Sequence, residues 1–282
     1  MEINSICVCG AGTMGSGIAQ AAAQSGLATI LYELNAAVLE KAKAGIDRNL
    51  QSLVEKGKMT AEEKQKVFGL IRFTDDLQTC LADVFIEAIV EKPELKIALF
   101  NQLAELNHGD VIFASNTSSL SITEIAKGVL HPERVIGMHF FNPATIMKLV
   151  EVVNTPFTNT ATTETIISLA KQLKKTAVVC IDSPGFIVNR VARPYYIESL
   201  RLLEEGHTEK EQLDRLLEAT GFKMGPFKLM DLIGHDINYA VSCSVWEQLG
   251  RPERLKPSLL QEEIVKQGKL GKKTGEGFYK YE

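Results

Sequence analysis

From Ile3 to about Asp182, short runs rich in β-branched and other apolar residues alternate with longer segments of helical period. That alternation constrains the fold more than any other feature, because strand, helix and strand in succession return the chain to a parallel sheet wrapped by helices. Strands are expected at 3–9, 28–33, 84–90, 111–117, 135–140 and 176–181. Several are almost wholly apolar, as strands covered on both faces should be. Helices are expected between them at 13–25, 36–56, 61–69, 93–106, 122–126 and 162–174, with Pro93 suited to a first helical turn. After Asp182 the strand signal stops, and Ser183-Pro184-Gly185 opens a region that reads as helices alone, at 186–205, 209–220, 234–249 and 258–267. Pro194 is expected to kink the first of these, Gly206 to stop it, and Thr208 with Glu211 to form a capping box for the next.

The glycines narrow this class further. Gly10-Ala11-Gly12-Thr13-Met14-Gly15 directly follows the first strand and opens a helix, so amides at the helix N-terminus can face a pyrophosphate while the glycines permit close approach. Glu33 ends the next strand, where a carboxylate can take ribose hydroxyls. A tight strand-to-helix turn with no ligand is the plainer alternative. The chain therefore reads as α/β, with a mostly parallel Rossmann-type sheet domain over 1–183 followed by an all-helical domain over 184–282. Leu34, Asn35, Ala36 and Ala37 supply no cation for a 2′-phosphate and Glu33 would repel one, which favours NAD over NADP. FAD uses a similar loop, so the loop alone leaves hydride chemistry open.

Charge and composition exclude other classes. Lys plus Arg is 31 against Asp plus Glu at 35, a net charge of −4 without a long basic block, so nucleic-acid binding is not expected. No apolar stretch approaches the roughly 20 residues of a membrane span. Met1-Glu2-Ile3-Asn4 lacks the basic start of a secretory leader, and a cytoplasmic location is expected. The five cysteines, Cys7, Cys9, Cys80, Cys180 and Cys243, have no C-x-x-C spacing, so neither a disulfide framework nor a metal site is indicated. Cys7 and Cys9, alternating along a strand, read as small core residues.

In an open α/β sheet, ligands lie outside the carboxyl ends of the strands. Glu91, Ser118 and His139 follow or end three of the expected strands, with Asn142-Pro143 just beyond the last. A dehydrogenase needs a base within reach of a hydroxyl, and His139 is the natural candidate. Glu151 could return to orient its ring; as a solvated charge it would be oddly placed among Leu149, Val150, Val152 and Val153. Alone, His139 reads as readily as a structural histidine, Ser118 as a helix cap and Asn189 as a polar residue on an exposed helix face. Ser121 with Glu124 already makes a capping box, which leaves Ser118 for other work. His108, His131, His207 and His235 lack comparable placement and read as surface or structural.

At these residues the sequence resembles the L-3-hydroxyacyl-CoA dehydrogenase family, and within it the short bacterial 3-hydroxybutyryl-CoA dehydrogenases. The similarity runs through the glycine loop, Glu87-Ala88-Ile89-Val90-Glu91, Ala114-Ser115-Asn116-Thr117-Ser118-Ser119-Leu120, the His139 to Val152 run, Pro184-Gly185-Phe186-Ile187-Val188-Asn189-Arg190, Met224-Gly225-Pro226-Phe227, and Gly271-Lys272-Lys273-Thr274-Gly275 with Glu276-Gly277-Phe278-Tyr279. The resemblance implies His139 as base, Glu151 as its partner, and Ser118 and Asn189 as hydrogen-bonding groups at the reacting hydroxyl and thioester. It implies Glu91, Ser118, Asn142 and Lys273 at NAD and Lys56 on the CoA phosphates, although Lys56 beside Lys58 also reads as a solvated helix end. Glu33 stands where Asp is common, Lys228 where an acid usually follows Gly-Pro-Phe, and Thr145-Ile146 where the family has a Pro-containing pair.

The expected reaction is NAD-dependent interconversion of (S)-3-hydroxybutyryl-CoA and acetoacetyl-CoA, substrate and cofactor meeting in a cleft between the domains. A homodimer is expected, formed through the helical domain. Two competing readings are a dehydrogenase of a free hydroxy acid on the same fold and a non-catalytic NAD-binding relative.

Overall fold

A computed structural model of the chain describes residues 3–107 and 109–281; His108, read above as surface or structural, lies outside them. The chain divides into two compact units, Met1–Ser183 and Pro184–Glu282.

The first unit is built on an eight-stranded sheet of β1 (Ser5–Cys9), β2 (Ala28–Tyr32), β3 (Ile71–Thr74), β4 (Val84–Glu87), β5 (Ile112–Ser115), β6 (Val135–Phe140), β7 (Leu149–Asn154) and β8 (Thr176–Ile181). Their order is β3-β2-β1-β4-β5-β6-β7-β8. The first six strands are parallel, β7 runs antiparallel to β6, and β8 is parallel to β7. The strand order reverses between β1 and β4, the position at which open α/β sheets take their ligands. The helices are α1 (Thr13–Gln24), α2 (Ala36–Glu55), α3 (Ala61–Gly69), α4 (Pro93–Leu106), α5 (Ile122–Lys127) and α6 (Thr160–Gln172).

Apolar strand faces explain the layering. Ile6, Val8, Leu31, Ile86 and Ile136 are fully buried in one core with Ile18, Ile46 and Leu50 of the helices. On the other face Phe113 packs against Phe85 and Phe100 at centroid separations of 5.9 and 5.3 Å. Each such side chain contributes roughly 1.5–3 kcal/mol by leaving water. Cys7 and Cys9 are fully buried among them.

Two strands were not anticipated. β3 reads Ile-Arg-Phe-Thr, too short and polar at an edge to stand out. β7 lay hidden in an apolar run interrupted by Glu151, whose alternation becomes meaningful only once Val150 and Val152 are seen to enter the core. β4 and β5 also end earlier than expected, at Glu87 and Ser115, because the chain turns into the loops that carry Glu91 and Ser118.

The second unit contains α7 (Val188–Glu204), α8 (Lys210–Ala219), α9 (Pro226–Ile233), α10 (His235–Gln248) and α11 (Leu259–Lys266), with only isolated bridges at Gly271, Glu276 and Lys280 among its described residues. The helix expected from residue 186 begins at Val188, because Gly185 and Phe186 take positive φ of 74° and 47° and form a turn first. Pro194 does lie inside α7. The expected box at Thr208 and Glu211 does not form; Glu209 is the N-cap and no side chain caps α8. α9 was not anticipated, since its eight residues open on Gly225-Pro226.

Two buried carboxylates organise this unit. Asp214 accepts from the amides of Phe227 and Lys228 and from the Tyr279 hydroxyl at 2.9, 3.2 and 2.8 Å. Asp231 accepts from His235, from the amides of Phe278 and Tyr279 and from the Tyr281 hydroxyl. The C-terminal segment is thereby tied to α8 and α9.

Candidate active site

The glycine loop follows from steric necessity. Gly10 has φ +102°, and a Cβ there would lie 2.7 Å from the Ala88 carbonyl oxygen. At Gly15 a Cβ would come within 1.8 Å of the Gly10 carbonyl oxygen, so α1 can pack this close to β1 only without a side chain. Gly12 differs: nothing lies within 4 Å of where its Cβ would be. It is the N-cap of α1 and no side chain caps the helix amides, which leaves an open cradle with donors and the positive end of the helix dipole facing it. Glu33 stands beside it, accepting from the Ala11 amide at 2.9 Å and the Asn35 amide at 3.1 Å. Asn35 is committed to capping α2 through the amides of Ala37 and Val38. The cradle, the carboxylate and the lack of a nearby cation in residues 34–37 fit a dinucleotide with free ribose hydroxyls. Gly10 to Gly15 would hold its pyrophosphate and Glu33 its adenosine ribose.

Beyond β4 and β5 lies a buried charge network that sequence reasoning missed. Glu87 is fully buried and accepts from Lys96 at 2.5 Å, the Ser115 hydroxyl at 2.6 Å and the Ile89 amide at 2.7 Å. Lys96, equally buried, also reaches Glu91 at 3.1 Å, and Glu91 accepts from the Thr117 hydroxyl at 3.0 Å. Burial pushes the Glu87 carboxyl up from its ordinary value, with the Lys96 ammonium and the Ser115 and Ile89 donors pulling the other way. Nothing local in Pro93-Glu94-Leu95-Lys96 separates this lysine from a solvated one on a helix surface. The network fixes the Glu91 carboxylate and the chain leading to Ser118, which is half-buried in the turn after β5.

His139 and Glu151 are brought together by strand register. They are direct cross-strand neighbours in the antiparallel β6–β7 pair, on the face opposite Val150 and Val152. His139 Nδ1 lies 2.7 Å from Glu151 Oε2, with Glu151 only 1% exposed and His139 6%. A carboxylate accepts, so Nδ1 donates and the ring tautomer is set. The ring also packs on Phe141 at 4.5 Å between centroids. The end of β6 is tied to β5 by the Phe140 amide, which donates to Asn116 Oδ1 at 2.8 Å. Asn142 follows, exposed, joined to Pro143 by a cis peptide bond. The sheet thus gathers the glycine loop, Glu33, Glu91, Ser118, His139 and Asn142 at the ends of successive strands.

The remaining candidates belong to other elements. Lys56 is the exposed C-cap of α2, whose 20 residues span about 30 Å from a start just past β2. A groove of about 650 Å³ near it is lined by Lys58, Lys66, Lys148, Lys174 and Lys175 but by none of the site residues. Asn189 and Lys273 belong to the second unit. Asn189 is the second residue of α7, nearer its start than expected, half-buried, and its carbonyl accepts from Arg193 Nε at 2.9 Å. Lys273 is paired with both carboxylate oxygens of Asp236 at 2.6 and 2.7 Å. Lys228 finds a partner in Glu218 at 2.8 Å. Ser121 caps α5 through the Glu124 amide, but its hydroxyl donates to Asp182, which also takes the Thr123 amide, in place of a reciprocal box with Glu124. His235 is fully buried against Asp231, whereas His131 and His207 are exposed.

Comparison with known proteins gives two family matches: the NAD binding domain of 3-hydroxyacyl-CoA dehydrogenase over residues 5–183, and the C-terminal domain of 3-hydroxyacyl-CoA dehydrogenase over 185–281. A 3-hydroxyadipyl-CoA dehydrogenase from Escherichia coli is 47% identical over 281 residues, covering 99% of this chain and 59% of that protein. A crystal structure of a 3-hydroxybutyryl-CoA dehydrogenase from E. coli K12 superposes with a TM-score of 0.96 at 46% identity, covering all of this chain and 60% of the other. That of an (S)-3-hydroxybutyryl-CoA dehydrogenase from Ralstonia eutropha has a TM-score of 0.95 at 36% identity, and each chain is covered fully. The chain thus spans about three fifths of the E. coli sequence and of the E. coli structure it matches, and the whole of the R. eutropha one. No helix of the described residues is long and apolar enough to cross a membrane.

Proposed function

Because the chain belongs to the 3-hydroxyacyl-CoA dehydrogenase family, we propose that it interconverts (S)-3-hydroxybutyryl-CoA, or a similarly short L-3-hydroxyacyl-CoA, and the 3-ketoacyl-CoA, with NAD as the redox partner. The observation that carries this reading is the His139–Glu151 pair, buried on the same sheet that bears the glycine loop and Glu33.

Bound NAD would supply the acceptor for the C3 hydrogen with its electron pair. His139 takes the hydroxyl proton through Nε2 as that hydrogen departs, and Glu151 stabilises the imidazolium so formed. In the reverse direction the same imidazolium returns the proton to the C3 oxygen. Burial of the pair strengthens this charge stabilisation, since little water screens it. Ser118 and Asn189 are assigned to hydrogen bonds at the reacting oxygen and the thioester, Glu91, Asn142 and Lys273 to the cofactor, and Lys56 to the CoA phosphates. A cytoplasmic, homodimeric enzyme completes the reading.

The test is the absorbance of NADH with acetoacetyl-CoA as substrate. Rapid oxidation with the thioester and little with free acetoacetate is expected; the opposite preference would select the free-acid reading, and no turnover of either a catalytically silent relative. Running 3-oxoadipyl-CoA beside it separates the two acyl types carried in the relatives' names.

A further inference from the structure

The loop from Phe141 to Lys148 joins the strand of His139 to that of Glu151 and carries Asn142. Ladder hydrogen bonds hold the strands but stop short of this loop, which must be restrained otherwise. Its own main chain provides one restraint, the amides of Ile146 and Met147 both donating to the Pro143 carbonyl at 2.9 Å. A second is contact with the cofactor-loop helix: Ala144 is buried against α1 where Gly17 has no side chain, and a Cβ there would lie 3.3 Å from the Ala144 Cβ.

The third restraint is a lysine. Lys175 immediately precedes β8, whose first amide, that of Thr176, donates to the Lys148 carbonyl at 2.7 Å. The Lys175 ammonium donates to the carbonyls of Ala144 at 2.5 Å and Met147 at 2.8 Å. The residue is 9% exposed, and no carboxylate among the described residues lies within ion-pair distance of it. Burial draws the ammonium below its ordinary value. A lysine that served only solubility would extend into water and keep its hydration. This one gives up most of its water for two main-chain oxygens, and a charged donor forms the stronger bond to each. The loop has Thr145-Ile146 at its turn in place of a ring-stiffened residue, and among the described contacts its side-chain hydrogen bonds to the rest of the sheet come from this ammonium.

We propose that Lys175 is a positioning residue for the nicotinamide end of the cofactor site, tying the Ala144 and Met147 carbonyls to the sheet edge and thereby setting where the loop presents Asn142. The inference rests on the NAD-binding part of the proposed function. Its test is NADH titration of the full chain by fluorescence. Lys175→Met leaves two carbonyls without a donor and is expected to raise the NADH dissociation constant about tenfold. Lys175→Arg, which keeps charge and donors, is expected to stay within about threefold of the wild type. The ratio of NAD to NADP affinity, governed by Glu33 at the adenosine end, is expected to be unchanged in both. A Lys175→Met dissociation constant within twofold of the wild type would overturn the proposal, as would a weakening matched by a change in that ratio. If Lys175→Met does not fold, hydrogen exchange of the wild type decides: NADH should slow the amides of Ile146 and Met147, and identical exchange with and without it overturns the proposal. A wild type that binds NADH yet leaves acetoacetyl-CoA untouched sinks only the substrate reading, whereas one that does not bind NADH sinks both.

Discussion

At the scale of single residues, the side chains that carry most meaning are those placed against their ordinary preference. Gly10 and Gly15 are legible in the sequence because no other residue tolerates a 2.7 or 1.8 Å approach to a carbonyl oxygen, so the spacing itself reports the geometry. Glu33 is legible for a similar reason, since a carboxylate just after β2 beside a glycine loop points to a ribose. Glu33→Ala would remove both the proposed ribose acceptor and the charge that would repel a 2′-phosphate. It is expected to weaken NAD binding about tenfold or more and to narrow its advantage over NADP, as read from steady-state constants with both cofactors. Unchanged constants would mean that another acid holds the ribose. Lys96 and Lys175 are illegible by the same logic: each stands in a stretch where a solvated lysine would look identical, and only folding reveals that one meets Glu87 and the other two carbonyls.

At the scale of elements, register does what composition does not. The apolar run around Glu151 is visible in the sequence, yet its being a strand, antiparallel to β6 and aligned so that Glu151 opposes His139, is not. A shift of one residue would move Glu151 to the core face and His139 would lose its partner. In the second unit the corresponding device is Asp231, which joins α9 to the C-terminal segment and so to the stretch that carries Lys273. Burial pushes its carboxyl up, but the bonds from His235, Phe278, Tyr279 and Tyr281 outweigh this and hold it below the ordinary value of 3.8. A depressed acid stabilises the fold above its unfolded value and loses that contribution as pH falls through the folded one. The thermal midpoint should therefore drop more steeply below about pH 4 than above it. Asp231→Asn is expected to cost about 2–3 kcal/mol at pH 7 and to flatten that acid limb, both measurable by thermal melts followed with circular dichroism.

At the scale of the whole molecule, the alternation of strand and helix and its end after Asp182 are legible because each depends on many residues agreeing, whereas short elements such as β3 and α9 depend on few. The helical unit leaves Leu216, Phe222, Leu232 and Ile237 more than half exposed, and the proposed homodimer would give such apolar side chains a partner. Sedimentation is expected to give a dimer at micromolar concentration; a monomer would remove that part of the reading. In the proposed reaction one buried imidazole, oriented by a carboxylate, moves the proton while the cofactor takes the hydrogen from carbon. His139→Gln tests this when turnover of acetoacetyl-CoA is measured beside NADH affinity. Turnover should fall by about 10² to 10⁴ while NADH binds nearly as in the wild type; turnover close to that of the wild type would contradict the account.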